Sequence, residues 1–85
     1  MDYIVVETGQ RNVAQADYKG YRIEVATGYS AMTDNWPIHI YVQKIAFDGR
    51  LVGAPEKLEL RGHAGRKEEA FDAGMNGARL EIDQR

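Results

Sequence analysis

The chain of 85 residues contains no cysteine, two prolines, two histidines, one tryptophan and one serine. Without cysteine there is no disulfide framework and no thiolate metal site, and the composition fits a reducing compartment. His39 and His63 lie far apart and belong to no His-x-x-x-His pattern, so no metal centre is expected. Ser30 has no nucleophile elbow around it. No base, nucleophile and orienting group can be assembled from these residues, so the expectation is a protein that is not an enzyme, with no catalytic residue and no cofactor. No apolar run approaches the roughly 18–20 residues of a membrane span. The first residues carry Asp2 and Glu7 and lack a secretory cleavage pattern. The expected location is therefore the cytoplasm. Eleven basic residues against thirteen acidic ones give a net charge of −2, which is not the electrostatic footprint of a nucleic-acid binder.

What the chain does have is a pattern of short strands and one amphipathic segment. At this length a single domain is expected, residues 1–85, burying only about 60–65% of the surface its unfolded chain exposes. In Arg66 to Ile82, the apolar residues Phe71, Met75, Ala78 and Ile82 recur on one helical face. Ala70, Gly74 and Ala78 form a small-residue row beside it. Glycine inside a helix costs about 1 kcal/mol relative to alanine, so Gly74 and Gly77 point to a close approach to a sheet. Gly65 is the expected N-cap, and Glu68 and Glu69 suit the positive end of the helix dipole. A competing reading ends the helix at Asn76-Gly77 and makes Ala78, Leu80 and Ile82 a last strand.

Before the helix, Tyr21, Ile23 and Val25 alternate with Arg22, Glu24 and Ala26, the period of a half-buried strand. Gly28 to Pro37 has loop composition. Ile38 to Phe47 is the strongest strand, and its apolar residues change sides after Val42, which predicts a bulge or sharp twist. Asp48-Gly49 signals a hairpin. The return arm, interrupted at Gly53-Ala54-Pro55, is a broken strand or a loop followed by a short strand ending at Leu58 and Leu60. Tyr3 to Val6 reads as a short edge strand, and Gly9 to Gln15 as a connection without a clear period. Residues 1–17 are thus a flexible arm or an edge strand, and 18–83 the core. The expected fold is α+β, an antiparallel sheet of three to four strands with one C-terminal helix packed on one face.

One ordered set of residues carries a resemblance. Tyr18, Gly20, Tyr21, Ile23 and Val25 are followed by Asp48-Gly49. A helix then bears Glu68, Glu69, Ala70, Gly74, Ala78, Arg79, Ile82 and Asp83. This order resembles small hypothetical proteins of Proteobacteria with a strand meander followed by a C-terminal helix. The resemblance implies a fold and a bacterial setting, and no mechanism. The layout is also similar to three-strand-plus-helix DNA-binding domains, whose sheets are arginine-rich where this one carries both signs.

Two constellations are candidate sites. The first is the loop Arg61, Gly62, His63, Gly65, Arg66 and Lys67. Its glycines would let backbone N–H groups converge on an anion at a helix N-terminus, with basic side chains adding charge. It resembles the glycine-x-x-glycine loop of some RNA-binding domains, although a strand precedes it here. It lacks the spacing and terminal Lys-Ser/Thr of a Walker loop. The second is the set Tyr29, Trp36 and Tyr41, which are candidate interface aromatics and also candidate core residues of a small sheet. Arg22, Glu24, Lys44, Lys57, Glu59 and Arg61 alternate in sign along the strands, which suits cross-strand pairing better than a phosphate surface. A helix on one face leaves strand edges open to another chain. The expected role is a small interaction module with a protein partner, including a second copy of itself. The alternative is nucleic-acid or phosphate binding through Gly62 to Lys67.

Overall fold

The computed structural model describes residues 3–8, 11–59 and 63–85. The elements are β1 (Ile4–Thr8), β2 (Arg11–Tyr18), β3 (Tyr21–Thr27), β4 (Trp36–Ile45), β5 (Leu51–Leu58), β6 (His63–Ala64) and α1 (Lys67–Asp83). β1 to β5 form a meander in chain order, and β6 pairs with the start of β4. Every pairing is antiparallel. The architecture is α+β with one C-terminal helix, as expected, but the sheet has six strands rather than three or four.

The two added strands come from segments with weak sequence signals. β2 replaces the expected connection through Gly9 to Gln15. In the β2–β3 register Ala14 sits opposite Val25 and Ala16 opposite Ile23, while Val13, Gln15 and Asp17 take the other face. The inward positions are small because the core beneath them is filled by larger neighbours, so their alternation with polar residues carries little hydropathy contrast. β6 lies where a plain turn into the helix was expected. Its two residues pair Ala64 with Trp36 and His63 with Pro37. β2 and β3 are joined by the two-residue turn Lys19-Gly20, in which both residues have positive φ, 47° and 81°. That geometry matches the right-handed twist of the flanking strands.

The expected irregularity in β4 falls at Val42/Lys44, but its extra residues lie on β5. Val42 pairs with Glu56 and Lys44 with Val52, so Gly53, Ala54 and Pro55 stand against Gln43. Gly53 has φ +72°, and its carbonyl accepts a hydrogen bond from the Gln43 side chain. The return arm is thus one bulged strand as far as Leu58; Leu60 lies outside the described residues. The Asp48-Gly49 hairpin forms, with the Arg50 N–H donating to Asp48 Oδ1 at 3.1 Å. Phe47, at the end of the expected β4, is instead fully exposed.

The helix runs unbroken past Asn76-Gly77 to Asp83, so the alternative strand over 78–82 does not form. Its N-cap is Arg66 rather than Gly65, with extended backbone and no side-chain cap. Ala70, Phe71, Gly74, Met75, Ala78 and Ile82 are buried against Ile23 and Val25 of β3 and Ile40 and Val42 of β4. Ala14 of β2 completes the core, and Tyr18, Tyr21, Ile38 and Leu58 close its rim. The close approach implied by the small-residue row occurs at Gly74. A Cβ there would lie 2.5 Å from Val25 Cγ1 and 3.2 Å from Ile38 Cγ2. Tyrosines pin the sheet to the helix. The Tyr3 hydroxyl donates to Asp72 at 3.0 Å, and its ring meets Phe71 edge-on at 5.9 Å. The Tyr18 hydroxyl reaches Asp83 at 3.0 Å, and the Arg85 guanidinium stands over the Tyr21 ring at 5.4 Å.

Candidate functional site

The helix covers the centre of the sheet and leaves both its edges uncovered. β1 and β5 are the terminal strands of the meander, so each pairs on one side only among the described residues. An unpaired strand edge is a template for another chain, and proteins usually guard it with proline, charge, bulges or short length. β5 is guarded in three of these ways. Its bulge begins directly after Leu51-Val52, Pro55 removes a backbone donor, and Glu56 and Lys57 follow. β1 is the shorter edge, at five residues, but it carries no proline, bulge or charge over Ile4, Val5 and Val6. Ile4 is 69% exposed, Val5 43% and Val6 46%.

β1 is nonetheless held in place. Its five residues pair with Gln15 to Arg11 in unbroken register, and Tyr3 ties its start to the helix through Phe71 and Asp72. The phenol of Tyr3 is pushed above its usual pKa, first by burial and then by its bond to Asp72. The result is an ordered strand with apolar side chains on both faces and an open backbone edge.

The outer sheet face, away from the helix, is a polar ladder. Arg22 bonds Asp17 directly across the β2–β3 pair at 2.9 Å, and Gln15 donates to Glu24 at 3.0 Å. The Arg22 guanidinium holds the Asp17 carboxyl below the usual carboxylate range. Opposite charges meet at Arg22 and Asp17, whereas Glu24 is held by the neutral Gln15, and in the strand register Lys44 stands opposite Val52 and Lys57 opposite Tyr41.

The aromatic set divides. Tyr29 and Trp36 meet with ring centroids 5.8 Å apart, and the Tyr29 hydroxyl donates to Asp34. They flank the loop bridged by Ser30 and Asn35. Tyr41 stays on the outer face between Glu24 and Lys57 and is half-buried. Beside the loop is an open hollow of about 400 Å³ lined by Ala26, Thr27, Tyr29, Ser30, Pro37 and His39. It is open to solvent rather than enclosed. Thr27, the buried polar residue of this region, gives its hydroxyl proton to the Pro37 carbonyl at 2.6 Å.

Of the candidate anion loop, Arg61 and Gly62 lie outside the described residues. His63 is exposed in β6, and Gly65 and Arg66 lead into the helix. The Arg66 guanidinium bonds Glu69 at 3.3 Å, and Glu68 and Glu69 occupy the first turn. Two carboxylates thus already sit at the positive end of the helix dipole, where a phosphate would have to compete with them. On the opposite flank of the helix a cleft of about 280 Å³ is lined by Ile40, Glu56, Leu58, Gly77 and Glu81. Arg85 bonds Glu56 at 2.6 Å and lies 3.8 Å from Glu81, neutralising much of its charge. Among the described residues no group of acidic residues and histidines could hold a metal ion, and no helix is long and apolar enough to cross a membrane.

The significance of β1 was only half legible in the sequence. Tyr3 to Val6 read as an edge strand from its composition, but nothing in the order of residues revealed that the opposite edge is guarded. Comparison with protein-family models, curated proteins and solved structures gave no match for this chain.

Proposed function

We propose that this chain is a small, non-enzymatic interaction module that engages another polypeptide by adding a strand to β1. The observation that carries this reading is the contrast between the two edges: β5 is bulged and proline-bearing, whereas β1 presents Ile4, Val5 and Val6 beside an unpaired backbone. Main-chain hydrogen bonds along such an edge supply affinity, and alternate side chains supply specificity. A cytoplasmic setting, as in the bacterial proteins the sequence resembles, agrees with the lack of cysteine.

The test is a backbone-amide NMR titration with extended peptides rich in valine and isoleucine and flanked by lysine. Shifts concentrated in Ile4–Thr8, with β5 and the helix unmoved, are expected. Shifts confined to the Tyr29–Trp36 loop, or none at all, would remove β1 as the binding edge. A parallel titration with short RNA and DNA at low salt, where phosphate contacts are strongest, separates the nucleic-acid alternative. That alternative requires shifts at His63 to Lys67 which fade as salt is added.

A further inference from the structure

We infer that the strand added to β1 is β1 of a second copy, paired antiparallel so that Val5 faces Val5 across a two-fold axis. The inference rests on the strand-addition reading above and adds the identity of the occupant.

Three observations carry it. The first is self-complementarity. With Val5 opposite its own copy, Ile4 falls opposite Val6 and Val6 opposite Ile4, so three consecutive apolar pairs form. Shifting the register by two residues one way would instead set Val5 against Glu7 and Ile4 against Thr8, and shifting it the other way would leave Val6 with no partner in the facing β1. Cross-strand apolar pairs stabilise a ladder, so the sequence of this edge selects the Val5-centred register. No like charges come opposite one another in it.

The second observation is that one edge is open and the other guarded. An isologous contact uses the same patch on both partners and closes after two copies, whereas a head-to-tail contact between different patches propagates. Guarding on β5 by Pro55 and the bulge at Gly53 leaves β1 against β1 as the pairing the described edges permit. The product is a closed dimer with one continuous sheet across the axis.

The third is clearance. Directly opposed residues share a sheet face, so this register places both helices on the same side. Each helix packs over β3 and β4. That leaves β1 and β2 between helix and axis, roughly 10 Å per copy at the usual strand spacing. The helices do not collide, and the apolar side chains of β1 gain a neighbour.

A five-residue edge is small beside the roughly 1,200–2,000 Å² of a standard stable interface. The dimer is therefore expected to dissociate on dilution. Sedimentation equilibrium of the full chain should show a species of twice the monomer mass, growing with concentration and not exceeded. Val5→Lys and Val5→Glu place like charges on the axis. Each alone should remain monomeric with an unchanged circular dichroism spectrum, and an equimolar mixture should recover the dimer. Should either variant fail to fold, Val5→Cys reads the same contact. The chain has no other cysteine, so oxidation should link most of the protein as a dimer, while Val52→Cys on the guarded edge stays largely unlinked.

A wild-type chain that remains monomeric up to about 1 mM, where even weak association is visible, overturns the second copy as occupant. If β1 still responds to the peptides in that case, strand addition stands with a foreign partner; if it does not, both readings fall. Dimerisation of both charged variants at wild-type strength, or equal cross-linking at Val5 and Val52, would place the contact elsewhere and overturn the proposal.

Discussion

Gly74 is the residue on which helix and sheet meet most closely. A single added methyl group would come within 2.5 Å of Val25, a β-branched side chain with little freedom to move. Overpacking of this kind costs about 1–3 kcal/mol, and the better helix propensity of alanine returns up to about 1 kcal/mol. Gly74→Ala should thus destabilise the protein by about 1 kcal/mol, which lowers Tm by roughly 4–8 °C in a domain of this size. Thermal unfolding followed by circular dichroism measures it, and an unchanged or raised Tm would show that the helix sits further from β3. This contact was readable in advance, because Ala70, Gly74 and Ala78 form a row that has no purpose in an isolated helix. The partner was not readable: that Val25 and Ile38 are the atoms approached depends on the β3–β4 register.

Among the elements, the β2–β3 hairpin shows how one turn fixes a large part of the sheet. Lys19 and Gly20 both adopt positive φ, and the turn sets Tyr18 opposite Tyr21, hence Ala16 opposite Ile23 and Ala14 opposite Val25. Only glycine takes such backbone geometry without steric cost, and other residues incur about 1–2 kcal/mol there. Gly20→Ala, whose new Cβ would meet no neighbour within 4 Å, should therefore lose about 1–2 kcal/mol through backbone strain alone, seen as a lower midpoint in urea with an unchanged slope. A changed slope would mean that the hairpin's register had altered instead. Lys19-Gly20 was legible as punctuation, but β2 before it was not. Ala14 and Ala16 look unremarkable until the helix side of the sheet is assembled above them.

For the molecule as a whole, paired charges tie the β2–β3 turn to the end of the helix and give stability a defined pH window. Lys19, in the β2–β3 turn, bonds Asp83 near the helix end at 2.6 Å, and Tyr18 donates to the same carboxylate. Lys19 first, then Tyr18, hold the Asp83 carboxyl below its usual range, while Asp83 raises the Lys19 ammonium. A depressed carboxyl contributes stability that is present above about pH 4 and is lost as pH falls through its folded value; a raised ammonium contributes below about pH 10 and is lost above it. Asp17, depressed by Arg22, adds to the acid limb, and Tyr3, raised by burial and Asp72, adds to the alkaline limb. Tm should be flat between these limits and fall on both sides. Asp83→Asn should make both limbs shallower, since it removes the carboxyl and the partner of Lys19 together. An alkaline limb identical to wild type would show that Lys19 is not engaged. Salt screens such exposed pairs, so the effect should shrink at high ionic strength.

The sequence by itself determined the helix and the strong central strands, because a period of 3.6 or 2 in apolar residues is a local property that survives without knowledge of neighbours. It also determined what the chain lacks: a thiol, a metal-binding pattern and a basic surplus. Only the tertiary structure decided the number of strands, the pairing of β6 with β4, and the inequality of the two sheet edges. Those depend on contacts between residues far apart in the chain: Ala14 counts as core only once it joins the cluster of β3, β4 and helix residues, and β1 differs from β5 only because Gly53 and Pro55 guard the other end of the meander.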